Sequence, residues 1–314
     1  MSDDRPVLTL AHSPDPDDAF MWWPITGKVR PNGEQVSPPP LDTGRFRYRA
    51  VPADIEVLNR RAEEQGDLDI TALSFRAWAS VRDRYVITAT GSSMGDGFGP
   101  KVVRRRGSGV TLEDLRTGRM RVAVPGRRTT AFLVLGMVLG RAWAEREDAA
   151  LEVPFERVIG TVAEEKAEAG LVIHEGQVLY EQAGLELVED LGAWWKKETG
   201  LPLPLGCNAV RRDLDERFGP GSLAEVSRML RRSVDYALEH RAESLEYTLP
   251  FALANAAKPG SSGAPTLERV DTYVRMYVNP WTVDLGEDGR RAVERLFAEG
   301  ARAGLCEAVA VDII

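Results

Sequence analysis

Short apolar runs separated by longer, more polar segments recur along the whole chain. Such runs, bounded by turn signals, are typical of strands buried on both faces. They predict strands at 7–11, 68–73, 120–124, 171–173 and 185–191. Longer segments with apolar residues every third or fourth position predict amphipathic helices. These lie at 54–64, 223–240, 267–277 and 290–303. The alternation of strands and helices favours an α/β fold with parallel sheets.

Other segments have a less regular pattern. The Pro-, Gly- and Arg-rich segment 31–49 predicts a surface insertion or an irregular hairpin. Residues 154–159 predict a strand, the apolar segment 131–143 a helix, and 256–265 a loop. The adjacent tryptophans of segment 192–206 are followed by proline-spaced leucines, which predicts a rigid loop that either packs in the core or contacts a ligand.

Composition narrows the classes of protein. Hydrophobic residues make up 43% and charged residues 28%, with a net charge of -8 and no basic stripe, so a nucleic-acid partner is disfavoured. Cys207 and Cys306 form neither a metal-spaced cluster nor a disulfide framework. No apolar run spans a membrane, and acidic residues stand where a signal peptide has a basic region. We therefore expect a cytoplasmic protein with no membrane association and no metal site.

The length of 314 residues suggests two lobes. The glycine-rich segment 91–100 leads into a predicted strand, which disfavours phosphate binding and favours a crossing between lobes or a close backbone approach to a ligand. We predict a discontinuous large lobe, 1–103 with 207–314, and a small lobe, 104–206.

His174 is the strongest candidate for chemistry. It follows the predicted strand 171–173, and ligands of open α/β sheets bind beyond the carboxyl ends of strands. An imidazole there can exchange a proton near neutral pH. The alternative is a structural histidine satisfied by a backbone carbonyl. Glu175 is a candidate to orient the ring, although successive residues of a strand point to opposite faces.

Small polar residues follow other predicted strands in the same way. Ser13, Ser74 and the pair Thr129–Thr130 stand at such ends. The two threonines open an apolar helix, whose first N–H groups form an anion site; simple capping by Thr129 explains them equally well. Asp17 or Asp18 is expected to cap a helix that starts near position 19. Two lobes around a cleft, as in bilobal solute-binding folds, would bring these ends together.

An ordered set of segments resembles the 1,4-dihydroxy-6-naphthoate synthases of the futalosine pathway of menaquinone biosynthesis. The segments are Ser13-Pro14 with Pro16 and Asp18, Leu73-Ser74, 81–85, 121–131, 169–175, 190–195 and 199–206, with weaker matches at 232–234 and 273–274. The resemblance covers most of the chain, and the whole ordered set is specific.

The resemblance implies a periplasmic-binding-protein-like (type II) fold of two α/β lobes with a central cleft. It implies a lyase that converts cyclic dehypoxanthine futalosine to 1,4-dihydroxy-6-naphthoate without a cofactor. His174 would be the proton acceptor, and a further group would line the substrate site. That group is Ala72, Leu73, Ser74, Thr129, Thr130, Ser13 and Asp18. Trp194 or Trp195 would shield the site from water.

Two departures and two alternatives accompany this interpretation. The family loop usually reads Ser-Pro-Cys-Pro-Asn-Asp-Thr, whereas this chain has aspartates at 15 and 17 and alanine at 19. The insertion at 31–49 is longer than the family pattern. The alternatives are the chorismate dehydratase of the same pathway and a non-catalytic solute-binding protein, because one fold supports several functions.

Overall fold

The computed structural model describes residues 4–257 and 265–314, and Glu175 by its backbone only. Within them the chain forms strands and helices in alternation. The strands are β1 (Val7–His12), β2 (Arg47–Pro52), β3 (Ile70–Ser74), β4 (Tyr85–Ile87), β5 (Ser93–Gly95), β6 (Lys101–Arg105), β7 (Val122–Val124), β8 (Ala150–Glu152), β9 (Ala169–Val172), β10 (Leu185–Asp190) and β11 (Leu203–Arg211). The alternation predicted from the sequence is therefore confirmed.

The helices cover most of the remaining chain. They are α1 (Pro16–Thr26), α2 (Ile55–Glu64), α3 (Phe75–Val81), α4 (Leu112–Arg116), α5 (Thr130–Leu139), α6 (Arg141–Ala144), α7 (Val158–Ala163), α8 (Leu191–Thr199), α9 (Leu214–Phe218), α10 (Ser222–Glu239), α11 (Arg241–Ala256), α12 (Leu267–Tyr277), α13 (Pro280–Val283) and α14 (Gly286–Arg302). Three short 3₁₀ helices lie at Phe155–Arg157, His174–Val178 and Tyr180–Ala183.

The strands build two mixed sheets. The first has the order β2-β1-β3-β11-β4, with β5 on β11, and the second has the order β10-β6-β9-β7-β8. β1 runs parallel to β2 and β3, and β7 runs parallel to β8 and β9. β11 and β6 run antiparallel to their partners, so the prediction of wholly parallel sheets is wrong. These are the strands by which the chain enters the second sheet and returns to the first, outside the crossover units that make strands parallel.

The chain passes between the two sheets twice. Strands up to β5 and again from β11 belong to the first sheet, and β6 to β10 belong to the second. The boundaries predicted at 103 and 207 thus fall inside β6 and β11, and the changeovers lie at 96–100 and 191–202. One apolar cluster runs through both sheets, with members as far apart as Leu73, Val122 and Phe297. The lobe division itself stays a prediction.

Several element predictions need correction in the first half of the chain. Residues 47–49, placed in the insertion, belong to β2, which pairs with β1 along its whole length. Its alternation of exposed arginines with buried Tyr48 and Ala50 is typical of an edge strand. The apolar helix predicted to reach 143 ends at Leu139, because Gly140 adopts a φ of 97°.

Further corrections fall in the second half. Residues 154–159 form a 3₁₀ turn and the start of α7, and the strand lies earlier, at β8. Phe155, Val158 and Ile159, all buried, have helical rather than alternating spacing. The predicted tryptophan loop is α8 followed by β11, and Trp195 is fully buried with its Nε1 donating to the Pro202 carbonyl at 3.0 Å. The predicted loop 256–265 lies mainly outside the described residues.

Helix α1 is buried on every side. All of its residues are buried, and it packs against α10, α11 and α12. Apart from Asp17, Asp18 and Thr26 its residues are apolar, which is typical of a helix enclosed on all sides. Its N-cap is Asp15. The prediction that Asp17 or Asp18 caps this helix is wrong, because the helix begins at Pro16 and both aspartates lie in its first turn. The carboxyl groups of that turn are therefore enclosed in protein.

Candidate functional site

Polar strand ends from both sheets meet at one cavity. It encloses about 680 Å³ when the open space at its mouth is included. It lies between the ends of β1 and β3 on one side and those of β7 and β9 on the other. All of the site residues predicted from the sequence line it: Ser13, Asp18, Ala72, Leu73, Ser74, Thr129, Thr130 and His174. The structure thus brings the whole set together. Their individual roles stay predictions.

His174 is held in an uncommon backbone conformation beside a carboxylate. It opens the 3₁₀ helix after β9 with a φ of 53°, in the left-handed region that non-glycine residues rarely occupy. Its ring meets Phe155 edge to face, with 4.7 Å between centroids. Nδ1 lies 2.9 Å from Oδ2 of Asp15. Strained conformations of this kind concentrate at functional sites.

Asp15 contacts both His174 and a residue of α11. Its side chain is 0% exposed. Its Oδ1 accepts a hydrogen bond from Nδ2 of Asn255 at 3.3 Å, and that amide also donates to the Pro14 carbonyl at 3.1 Å. The 2.9 Å contact sets a carboxylate oxygen against Nδ1, and a carboxylate in that position favours one ring orientation with Nε2 as the basic nitrogen. Asp15 occupies the orienting position considered for Glu175, whose side chain lies outside the described residues.

The start of α5 presents two uncharged threonine side chains at the cavity. The Thr129 hydroxyl accepts from the Phe132 N–H at 3.1 Å and donates to the Gly126 carbonyl at 2.8 Å, so the capping interpretation is confirmed. The Thr130 hydroxyl donates to the Leu205 carbonyl at 2.7 Å. Both hydroxyl hydrogens are thus used within the fold. The N–H groups of Thr130 and Ala131, which have no intrahelical acceptor, remain at the positive end of the helix dipole for an anion.

Ser74 is positioned by a residue that the sequence did not reveal. Its hydroxyl accepts from Nδ2 of Asn59 at 3.1 Å, and its N–H donates to Oδ1 of the same side chain at 3.0 Å. A hydroxyl has one hydrogen, which Ser74 can still donate into the cavity. Leu73 places its side chain in the core beneath, and Ala72 stands beside it on β3.

The start of α1 places carboxyl groups on the opposite wall. Oδ2 of Asp18 accepts from the Ser13 N–H at 2.7 Å. Burial raises the pKa of Asp18, and the neighbouring His12 opposes that rise. Burial, with the charges of Asp18 and Asp15, raises the pKa of Asp17 well above its usual value. Burial therefore disfavours the charged form of Asp17 and Asp18 on this wall.

Further polar residues of the cavity come from distant parts of the chain. The Tyr277 hydroxyl donates to Oε1 of Gln177 at 2.8 Å, and Nδ2 of Asn208 donates to the Gly91 carbonyl at 2.9 Å. All of these residues line the cavity. No local sequence signal separates them from ordinary core residues, since only the tertiary fold turns them toward the site.

The other histidines and the tryptophan pair lie elsewhere. His12 is buried and its Nδ1 donates to the Ser13 carbonyl at 2.7 Å, whereas His240 stacks on Tyr236 at the end of α10. Trp195 packs in the core, and together with Trp194 it borders a separate hollow against α14. The expectation that a tryptophan of this pair shields the site is wrong, because α8 turns the pair away from the cavity.

Residues 4–257 and 265–314 contain neither a cluster of metal-ligating side chains nor a membrane-spanning helix. No group of three or more His, Cys, Asp or Glu side chains there has an arrangement that could hold a metal ion. Among the same residues, no helix is both long and apolar enough to cross a bilayer.

Comparison with known families places this cavity in context. The model of a family described as menaquinone biosynthesis matches residues 8–302. The chain belongs to this family. A 1,4-dihydroxy-6-naphthoate synthase of Thermus thermophilus is 42% identical over 299 residues, covering 95% of this chain and 96% of the relative. A protein of the same name from Streptomyces coelicolor is 32% identical over 308 residues, covering 98% of both chains.

Solved structures show the fold of this menaquinone-biosynthesis chain. Protein AF1704 of Archaeoglobus fulgidus aligns with a TM-score of 0.78 at 36% identity, covering 96% of this chain and 98% of that one. A ligand-binding component of an ABC-type import system from Staphylococcus aureus aligns with a TM-score of 0.65 at 12% identity, covering 98% and 94%. The fold is thus periplasmic-binding-protein-like with two α/β sheets, which confirms the predicted fold class.

Proposed function

We propose that this chain is a carbon–carbon lyase that converts cyclic dehypoxanthine futalosine to 1,4-dihydroxy-6-naphthoate. The observation that carries the proposal is the His174–Asp15 contact at the wall of a cavity formed by the strand ends of both sheets. Two relatives named 1,4-dihydroxy-6-naphthoate synthase, each matching nearly the full chain, support the choice of reaction.

The cavity offers two chemically different ends for such a substrate. The substrate joins an aromatic carboxylate to a sugar ring through a spiro carbon. The free N–H groups at the start of α5 suit the carboxylate, because a helix N-terminus binds anions. The sugar portion then faces the start of α1 and His174. Ser74 donates its hydroxyl hydrogen between these ends.

His174 acts as the general base in this proposal. Neutral His174 takes a proton from the sugar portion, the carbon–carbon bond breaks, and its electron pair passes into the ring that becomes aromatic. Asp15 holds the imidazole and stabilises the imidazolium that forms. One positioned general base accounts for roughly 10²- to 10⁴-fold in rate. We further propose that the protein acts in the cytoplasm, on this small molecule, without a nucleic-acid or membrane partner.

The test is turnover by the purified wild type beside His174→Asn, under anaerobic conditions with cyclic dehypoxanthine futalosine. Asparagine suits this position because it tolerates a positive φ and cannot act as a base. We expect naphthoate from the wild type and a loss of roughly 10²-fold or more in the variant. Binding of 2-naphthoate by both proteins serves as the control for folding.

The other outcomes separate the alternatives. Equal turnover by the variant would keep the lyase and remove His174 as the base. No turnover by a folded wild type would reject the proposed reaction. Dehydration of chorismate would then identify the dehydratase, and tight binding of either compound without turnover would identify a solute-binding protein.

A further inference from the structure

Asp17 is a buried acid with an unused oxygen at the cavity. It lies in the first turn of α1, is 6% exposed, and lines the cavity that holds His174. Within residues 4–257 and 265–314, its Oδ1 has no hydrogen-bond partner. Buried polar atoms are nearly always paired, because burial without a partner costs free energy. An orphaned side chain at a cavity wall therefore points to a ligand that completes it.

The surroundings of Asp17 disfavour a negative charge on it. Asp18 follows it on α1 and Asp15 precedes it at the N-cap, so three carboxyl groups share one buried turn. Two groups favour the charged form of Asp17. The positive end of the α1 dipole is one, and the protonated ring of His174, which lowers the pKa of Asp17, is the other. Tyr277 faces Asp17 from α12 and its phenol is itself uncharged, because burial raises its pKa. Burial of Asp17 outweighs the opposing effects.

We propose that Asp17 enters the cavity as a neutral carboxylic acid and donates a hydrogen bond to an oxygen of the bound substrate. This role deepens the proposed function and rests on it: the oxygen is the one that gains electron density on the ring that becomes aromatic. A donor fixed in a buried site stabilises such an oxyanion far more than water does. Carboxylic acids kept neutral by an enclosed site are known to serve as such donors.

The first arm of the test follows stability and needs no substrate. A group whose pKa is higher in the folded state than in the unfolded state lowers the stability of the protein as the pH rises between those two values. Asp17→Asn removes such a group. We expect its melting temperature, relative to the wild type, to rise progressively from about pH 4 upward and to level off above the folded pKa of Asp17. Asp83→Asn, at an exposed position, serves as the control and should show no such trend.

The second arm follows turnover of cyclic dehypoxanthine futalosine. Asparagine keeps a donor in the same place, and alanine removes it. We expect Asp17→Ala to lower kcat by roughly 10²-fold or more, and Asp17→Asn to retain activity within about tenfold of the wild type. An ionised carboxylate acting as an acceptor or base would give the opposite pattern, with both variants equally impaired, and would overturn the proposal.

The third arm separates this inference from the lyase assignment. The probe is α-tetralone, a neutral bicyclic ketone that offers an acceptor oxygen and no carboxylate. We expect the wild type and Asp17→Asn to bind it about tenfold or more tightly than Asp17→Ala does. If the wild type shows no turnover but the pH trend and the ketone preference persist, the donor role stands and the reaction assignment fails. A flat pH trend, or a wild type that binds the ketone no better than Asp17→Ala, overturns the donor role.

Discussion

Helices α1 and α5 begin at the same cavity but present opposite chemistry. Both are apolar, both are buried, and both follow the carboxyl end of a parallel strand. The start of α5 carries Thr129 and Thr130, whose hydroxyl groups are paired within the fold. The start of α1 carries three buried aspartates. One backbone arrangement therefore presents two chemistries, for which we propose two uses: the uncharged side chains at the start of α5 leave room for an anion, and the acidic start of α1 takes part in proton transfer.

The difference lies in how each helix start satisfies its own polar groups. Threonine at the N-cap of α5 closes its hydrogen bonds locally, so the two N–H groups that remain attract a negative charge. At α1, Asp18 pairs with the Ser13 N–H and Asp15 contacts His174, and each buried carboxyl group makes the next harder to ionise. A substrate with a carboxylate at one end and oxygens at the other fits this pair in one orientation only.

The largest effect expected on this comparison comes from Asp15→Asn. The amide keeps the size of the side chain and the contact with Asn255, but an NH₂ group facing Nδ1 cannot accept its hydrogen. We expect kcat to fall about 10²-fold with KM little changed. The variant disturbs the orientation of the base, whereas the residues that bind the substrate are unchanged. Steady-state kinetics across pH measures both quantities.

A double variant controls for an independent role of Asp15. If it acts through the imidazole, Asp15→Asn combined with His174→Asn should be no slower than His174→Asn alone. Additive losses in the double variant would show that Asp15 contributes by another route. Retention of full activity by Asp15→Asn would remove the pairing from the mechanism.

A smaller effect is expected when α5 is given the charge of α1. Thr129→Asp keeps an N-cap acceptor for the Phe132 N–H while adding a negative charge at the cavity. We expect the dissociation constant of 2-naphthoate to rise roughly 10- to 100-fold by like-charge repulsion. That of the neutral 2-naphthol should stay unchanged, and calorimetry measures both.

The matched control is Thr129→Asn, which caps the helix without a charge. It should bind 2-naphthoate nearly as well as the wild type. Equal weakening of the acid and the alcohol by Thr129→Asp would indicate a packing defect, and no weakening of either would place the carboxylate away from α5.

The smallest effect on activity is expected at the tryptophan pair. Trp194→Phe and Trp195→Phe should both leave kcat/KM within about twofold, because α8 lies away from the cavity. They should differ in stability: only Trp195 is fully buried with a hydrogen bond to Pro202, so its replacement should cost roughly 1–3 kcal/mol of unfolding free energy. Urea unfolding measures this cost. A loss of turnover in either variant would show that the tryptophan pair does contribute to the site.

The local pattern of the sequence was enough to predict several strands and helices and the uncharged polar residues of the site. The apolar runs identified β1, β3, β7, β9 and β10. Polar residues at strand ends identified His174, Ser74 and the threonines of α5, because parallel strands deliver their carboxyl ends to one edge. Pattern failed where strand direction depends on the route of the chain between sheets, as at β6 and β11. It also failed at β8, because a run of three residues carries too little periodicity to be distinguished from its surroundings.

The resemblance implied Asp18, but the places of Asp15 and Asp17 in the site depend on the tertiary structure. In the sequence, Asp15 and Asp17 are turn residues of a Pro-Asp-Pro-Asp-Asp segment, which are exposed in most proteins. Enclosure of α1 by α10, α11 and α12 buries them. The end of β9, in the second sheet, places His174 against Asp15. Burial and charge proximity determine which proton each group holds, and both depend on residues more than a hundred positions apart in the chain.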